Sequence, residues 1–169
     1  MNFLNALEQM RFSIWVRESS SIWAFPTFLV LHTIGMSIVV GLSAMIDLVL
    51  LGFWPKAPVK PLVRLYPMMW FGFGINEVTG TVLLMADATA KLTNWDFYVK
   101  MAFVFVGMGV LYIMRRQVFE DPQLDDAPVN GSARRLAWIS LVCWFGAITA
   151  GRLLAYVGPV SGLSGVNNK

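Results

Sequence analysis

Histidine and cysteine occur once each in the 169 residues, as His32 and Cys143, and charged residues make up only 14% of the chain. A single cysteine excludes a disulfide framework and a zinc ribbon. A single histidine excludes a haem held between two histidines of one chain. A soluble domain typically carries about 25% charged residues, so the charge content points away from one. No His-Glu-x-x-His, no Ser-His-Asp spacing and no Cys–His pair is present, which argues against ordinary hydrolase chemistry. The net charge of +3 comes from Lys and Arg residues placed between apolar stretches, and a nucleic-acid partner is not expected. Gly72-Phe73-Gly74 has no strand before it and no lysine after it, so it is not a phosphate loop. The first residues lack a basic start, an apolar run and a small-residue cleavage site, so no cleaved signal peptide is expected.

What the chain has is apolar length. Hydrophobic residues make up 57% of it, with seven Trp and twelve Phe. Several stretches exceed the roughly 18 residues that indicate a transmembrane helix. The expected class is an all-α membrane protein, a four-helix transmembrane bundle preceded by an interfacial amphipathic helix. That first helix, about 2–17, places Phe3, Leu7, Met10 and Ile14 on one stripe. Ser21 or a neighbour is the expected cap of the next helix, with Pro26 in its early turns. The spans are expected at about 23–54, 63–88, 95–115 and 135–157. Residues 1–160 form one domain in this reading, with 161–169 a loose tail. Pro55, Pro58 and Pro61 end the first span, and Gly158-Pro159 ends the last.

Trp23, Trp54, Trp70, Trp95 and Trp138 fall near the span ends, as an interfacial aromatic belt requires. Lys56, Lys60, Arg64, Arg115, Arg116, Arg134 and Arg135 occupy two loops, against Arg11, Arg17, Lys91 and Lys169 on the other side. The positive-inside rule then puts both termini outside, in a bacterial inner membrane.

Each span carries an ionisable residue. At about 1.5 Å of rise per residue, His32, Lys100 and Arg152 lie in the outer half of the bilayer and Glu77 nearer its middle. Unpaired charges there cost about 2.5–3.5 kcal/mol each, so they should turn inward. Glu77 is expected to pair with Arg152 or Lys100. Asp47 belongs to the inner half, as a structural anchor beside Arg64, Arg134 or Arg135. Gly35, Gly41 and Gly80, with Gly72 and Gly146, are expected at close helix contacts. His32 has two readings, a satisfied buried imidazole or a ligand to haem iron or another metal. The methionines read chiefly as gap-filling core.

The segments "LHTIGMSIVVG…IDLVLLG", "TG" at 79–80, "FYVK" at 97–100 and "GRLLAY" at 151–156 resemble a bacterial integral membrane family, domain of unknown function 6644, over nearly the whole chain. Where that family usually has Asp-Leu-Arg, this chain has Asp47-Leu48-Val49. A looser similarity extends to copper-resistance protein D and to the membrane protoporphyrinogen oxidase that binds haem b. That similarity implies His32 and Lys100 as the matching positions, although the oxidase's further histidines are absent here.

Three function classes follow. One is a redox-associated membrane protein with a haem- or quinone-type pocket near His32, formed with Lys100, Glu77 and Arg152. Another is a copper or small-solute permease. The third is a non-enzymatic membrane subunit with a protein partner or a second copy of itself.

Overall fold

The computed structural model of the protein describes residues 2–55, 57–120 and 129–157. It is helical, with no strand among the described residues. Two short helices, α1 (Asn2–Glu8) and α2 (Arg11–Glu18), precede the long α3 (Phe25–Leu51). A 3-10 turn at Lys60–Leu65 leads into α4 (Tyr66–Ala86), then the short α5 (Ala88–Leu92), α6 (Trp95–Gln117) and α7 (Gly131–Val157).

Local chemistry explains most of these boundaries. Pro26 sits in the first turn of α3, where its missing N–H costs nothing. Ser21 does not cap that helix: its hydroxyl accepts from the Trp23 amide at 3.2 Å, closing the turn before it. At the other end Gly52 takes the left-handed conformation, with φ of 93°. Its amide reaches Val49 O at 3.0 Å and the Phe53 amide reaches Leu48 O at 3.1 Å, which satisfies carbonyls a helix end would otherwise orphan. The Asn94 side chain caps α6 by accepting from the Asp96 amide at 3.0 Å. The Asn130 side chain does the same for the Ser132 amide at 3.3 Å, so α7 starts four residues before the expected 135.

Three helices, Phe25–Leu51, Trp95–Gln117 and Gly131–Leu154, are long and apolar enough to cross a membrane. The expected span at 63–88 corresponds to α4, which has the length but is not among the three; Asn76 and Glu77 in its middle dilute its apolar character. The expected single N-terminal helix at 2–17 is broken. Met10 adopts an extended conformation between α1 and α2, and its amide bonds back only to Leu7 O at 3.4 Å. Both short helices lie against α4 or α5.

The long helices are arranged in a row bent round so that its two ends, α4 and α6, face each other across a gap. α4 packs along α3, α3 against α7, and α7 against α6, whereas α4 and α6 hardly meet. The tightest contact lies between α3 and α4. A β-carbon on Gly35 would fall 2.8 Å from Gly72 O and 2.9 Å from Asn76 N, so the two backbones touch there. α6 and α7 interlock through rings on glycines: Trp144 covers Gly107 and Phe103 covers Gly146. The core fills the half of the bundle nearer the α3 C-terminus, around Ile46, Leu50, Tyr66, Met114, Ala137 and Trp144.

Candidate functional site

His32, on α3, faces α4. Its Nδ1 lies 3.0 Å from Asn76 O and 3.2 Å from Thr79 Oγ1. A carbonyl only accepts, so Nδ1 carries the proton and Nε2 keeps a lone pair. Asn76 answers from the other side, its Nδ2 donating to His32 O at 2.8 Å. Gly80 makes room for the ring; a β-carbon there would sit 3.0 Å from Cε1. The imidazole is therefore half-buried between two helices and held in one tautomer.

Lys100 approaches from α6. Its aliphatic stem passes Gly151 of α7, where a β-carbon would lie 3.7 Å from Cδ and Cε. Lys100 lies within electrostatic reach of both His32 and Glu77, and Lys91 joins the same neighbourhood with its ammonium donating to Leu83 O. No hydrogen bond or ion pair involves Lys100 among the described residues.

The expected ion pair of Glu77 with Arg152 or Lys100 does not form. Glu77 and Arg152 are both exposed, and the ion pair found among the described residues is Arg17–Glu18 at 2.9 Å. The row arrangement is the reason. α7 does not pack on α4, so Arg152 is carried away from Glu77, and the gap between α4 and α6 keeps Lys100 from closing on it.

That gap is a groove. On α4, Tyr66, Trp70, Phe73 and Glu77 recur at steps of four, three and four, which is one helix face. On α6, Lys100, Val104, Met108, Leu111 and Arg115 do the same. A cavity of about 190 Å³ opens between the two stripes at the end nearer the α3 C-terminus, lined by Tyr66, Met69, Trp70, Met108, Tyr112 and Arg115 among others. The Arg115 guanidinium stands 5.9 Å from the centre of the Tyr66 ring. Glu77 and Lys100 mark the opposite end of the same two faces.

Asp47 lies elsewhere, in the core. It is 0% exposed. Ser43 donates to Asp47 Oδ2 at 3.4 Å, and Ser140 of α7 meets Ser43 at 3.1 Å between hydroxyl oxygens. The expected arginine partner is missing: Arg134 lies beside Gly52 instead, and no arginine pairs with Asp47 among the described residues. Gly41 also departs from expectation, with no neighbour within 4 Å of where a β-carbon would be, whereas Gly35 and Gly80 sit at contacts. Ser43, Ser140, Asn76 and Thr79 were not singled out by sequence reasoning. For Ser43 the available signal was a polar residue in an apolar helix one turn before Asp47; for Asn76 and Thr79 it was nearness to Glu77 in the chain, and Ser140 carried no such mark.

Metal and haem readings gain nothing from this geometry. No three His, Cys, Asp or Glu side chains gather to hold a metal ion among the described residues. No cavity that could take a porphyrin opens at His32 among the described residues: Gly80 sits against Cε1 and Nδ1, and the 190 Å³ cavity is not lined by His32. Comparison with family models, with characterised proteins and with solved structures gives no match.

Proposed function

We propose that the protein is a four-span membrane protein of the bacterial inner membrane that takes a quinone-type amphiphile from the bilayer into the α4–α6 groove, in a redox-associated role. The close packing of α4 along the whole of α3 supports α4 as the fourth span, since a helix bound to a spanning neighbour shares its depth. The groove suits a ligand with an apolar tail and an electron-rich head. Its walls are Met, Trp, Tyr and Leu, and it opens sideways because α4 and α6 hardly meet.

One observation carries the reading. Lys100 presents a half-buried ammonium with no partner on the groove face, beside the Glu77 carboxylate. A quinone carbonyl would accept from the ammonium, and a quinol hydroxyl would donate to Glu77. His32 orders this end by fixing α4 against α3. The test is titration of the purified protein with a short-chain quinone analogue, read by quenching of tryptophan fluorescence. Saturable quenching is expected, weakened at least tenfold in Lys100→Met, since a charge-assisted hydrogen bond contributes about 1.5–3 kcal/mol. Quenching that rises linearly, or equally in both proteins, would reject the ligand.

A second reading rests on the same open groove: a membrane subunit whose partner contributes a helix to it. Cross-linking from a cysteine placed at Tyr112, which lines the cavity and is half exposed, to a second protein in intact membranes would favour that reading over a small ligand.

A further inference from the structure

The polar cluster in the core asks for something that the groove does not supply. Asp47 is fully buried on α3, and its Oδ1 has no hydrogen-bond partner. Ser43 stands one turn before it, and Ser140, also 0% exposed, comes from α7. Ser43 reaches Asp47 Oδ2 at 3.4 Å and Ser140 meets Ser43 at 3.1 Å, so the cluster runs Ser140, Ser43, Asp47. Neither serine hydrogen-bonds Oδ1, which is left as a bare acceptor.

The charged and titratable groups facing this cluster are few. From α4, Tyr66 is 2% exposed, lies within electrostatic reach of Asp47, and keeps its own hydroxyl unpartnered. From α6, Arg115 stands over the Tyr66 ring rather than on the carboxyl. From α7, Arg134 lies at Gly52, beyond the end of α3. None of them forms an ion pair with Asp47. A carboxylate out of contact with water and with no counter-charge is strongly unfavourable in a bundle core.

We propose that Asp47, Ser43 and Ser140 form a binding site for one positive charge, a proton or a sodium ion, buried in the seam between α3 and α7. The two occupants share one chemistry. Either places a hard +1 charge on Oδ1, and the donor set, one carboxylate and two hydroxyl oxygens, suits a hard cation rather than a soft one. Binding of a proton forms one O–H bond at the carboxylate and leaves every other atom unchanged. Binding of sodium replaces water on the ion with these three oxygens, the two serine O–H bonds turning away from it so that their oxygens face the ion. This site is independent of the groove ligand.

Infrared spectroscopy of the purified protein in lipid at neutral pH separates the two occupants. In sodium-free choline buffer, a protonated-carboxyl C=O band present in the wild type and absent in Asp47→Asn assigns the proton. Absence of that band, with a melting temperature raised by sodium but not by choline, and no such rise in Asp47→Asn, assigns sodium. If Asp47→Asn fails to fold, Ser140→Ala serves: it should shift the band by removing a hydroxyl from the chain, or weaken the sodium effect several-fold. A wild type with neither the band nor the sodium effect holds a bare carboxylate, and that result overturns the proposal.

Discussion

His32 and Asn76 are hydrogen-bonded to each other twice, each side chain donating to the other's main-chain carbonyl, at 3.0 and 2.8 Å. Neither bond asks anything of solvent, and both cross the contact between α3 and α4. Hydrogen bonds between membrane helices average about 0.6 kcal/mol and reach about 1.7. Asn76→Leu removes one of the two bonds and should therefore cost roughly 0.6–1.7 kcal/mol, measured by unfolding in mixed micelles. Each acceptor is a main-chain carbonyl that survives mutation of its own side chain, so a double-mutant cycle with His32→Ala should come out close to additive. Strong non-additivity would mean that the two side chains act on each other directly.

The helix contact just below this clamp has its own sensitivity. A β-carbon on Gly35 would meet backbone atoms of Gly72 and Asn76 at 2.8 and 2.9 Å, and backbone cannot rotate away. Gly35→Ala should destabilise by about 1–3 kcal/mol, while Gly41→Ala, which faces open space, should stay within about 0.5 kcal/mol of the wild type. Equal unfolding midpoints for the two variants would contradict the packing.

Glu8 on α1 accepts from the Thr89 amide of α5 at 2.6 Å, a tie between segments 81 residues apart. That backbone hydrogen bond holds the Glu8 carboxyl below the usual carboxylate range. A depressed folded-state value means the tie is fully present above the unfolded value, about 4.3, and is lost as pH falls through the lower, folded one. Hydrogen-exchange protection at Thr89, corrected for intrinsic rate, should fall in acid below about pH 4. Glu8→Gln should remove that dependence, and constant protection in the wild type from pH 6 to 3 would refute the tie.

The basic residues of the 55–65 and 115–135 segments predict an orientation with both termini outside. A reporter active only in the cytoplasm should work when inserted in the 117–133 segment and fail when fused after Lys169. The opposite pattern would invert the topology.

Relative height along the bundle was legible in the sequence and azimuth was not. Residue counting places His32, Lys100 and Arg152 at similar heights, because rise per residue is fixed by the helix itself. Rotation about each axis, and which helix stands next to which, are set by tertiary packing. A closed square would turn Glu77 and Arg152 toward each other; in a row, α7 lies away from α4 and both side chains face outward. The partner of His32 was hidden for a different reason. It is chiefly the Asn76 carbonyl, and a main-chain group leaves no mark in the residue string. Caps behave differently, since Asn94 names itself by side chain and position, and α6 begins where expected.

Helices adjacent in the row are mostly adjacent in the chain as well. α3 with α4, and α6 with α7, are two hairpins, each closed by its own glycine contacts, and the long-range junction between them is α3 on α7. Each hairpin can thus close before the other is made, leaving docking as the final event of assembly. The surfaces that meet at that event carry Ser43 and Asp47 on one side and Ser140 on the other. Two polypeptides cut between Gln117 and Gly131 should accordingly find each other in a membrane, with the serine contact setting their register.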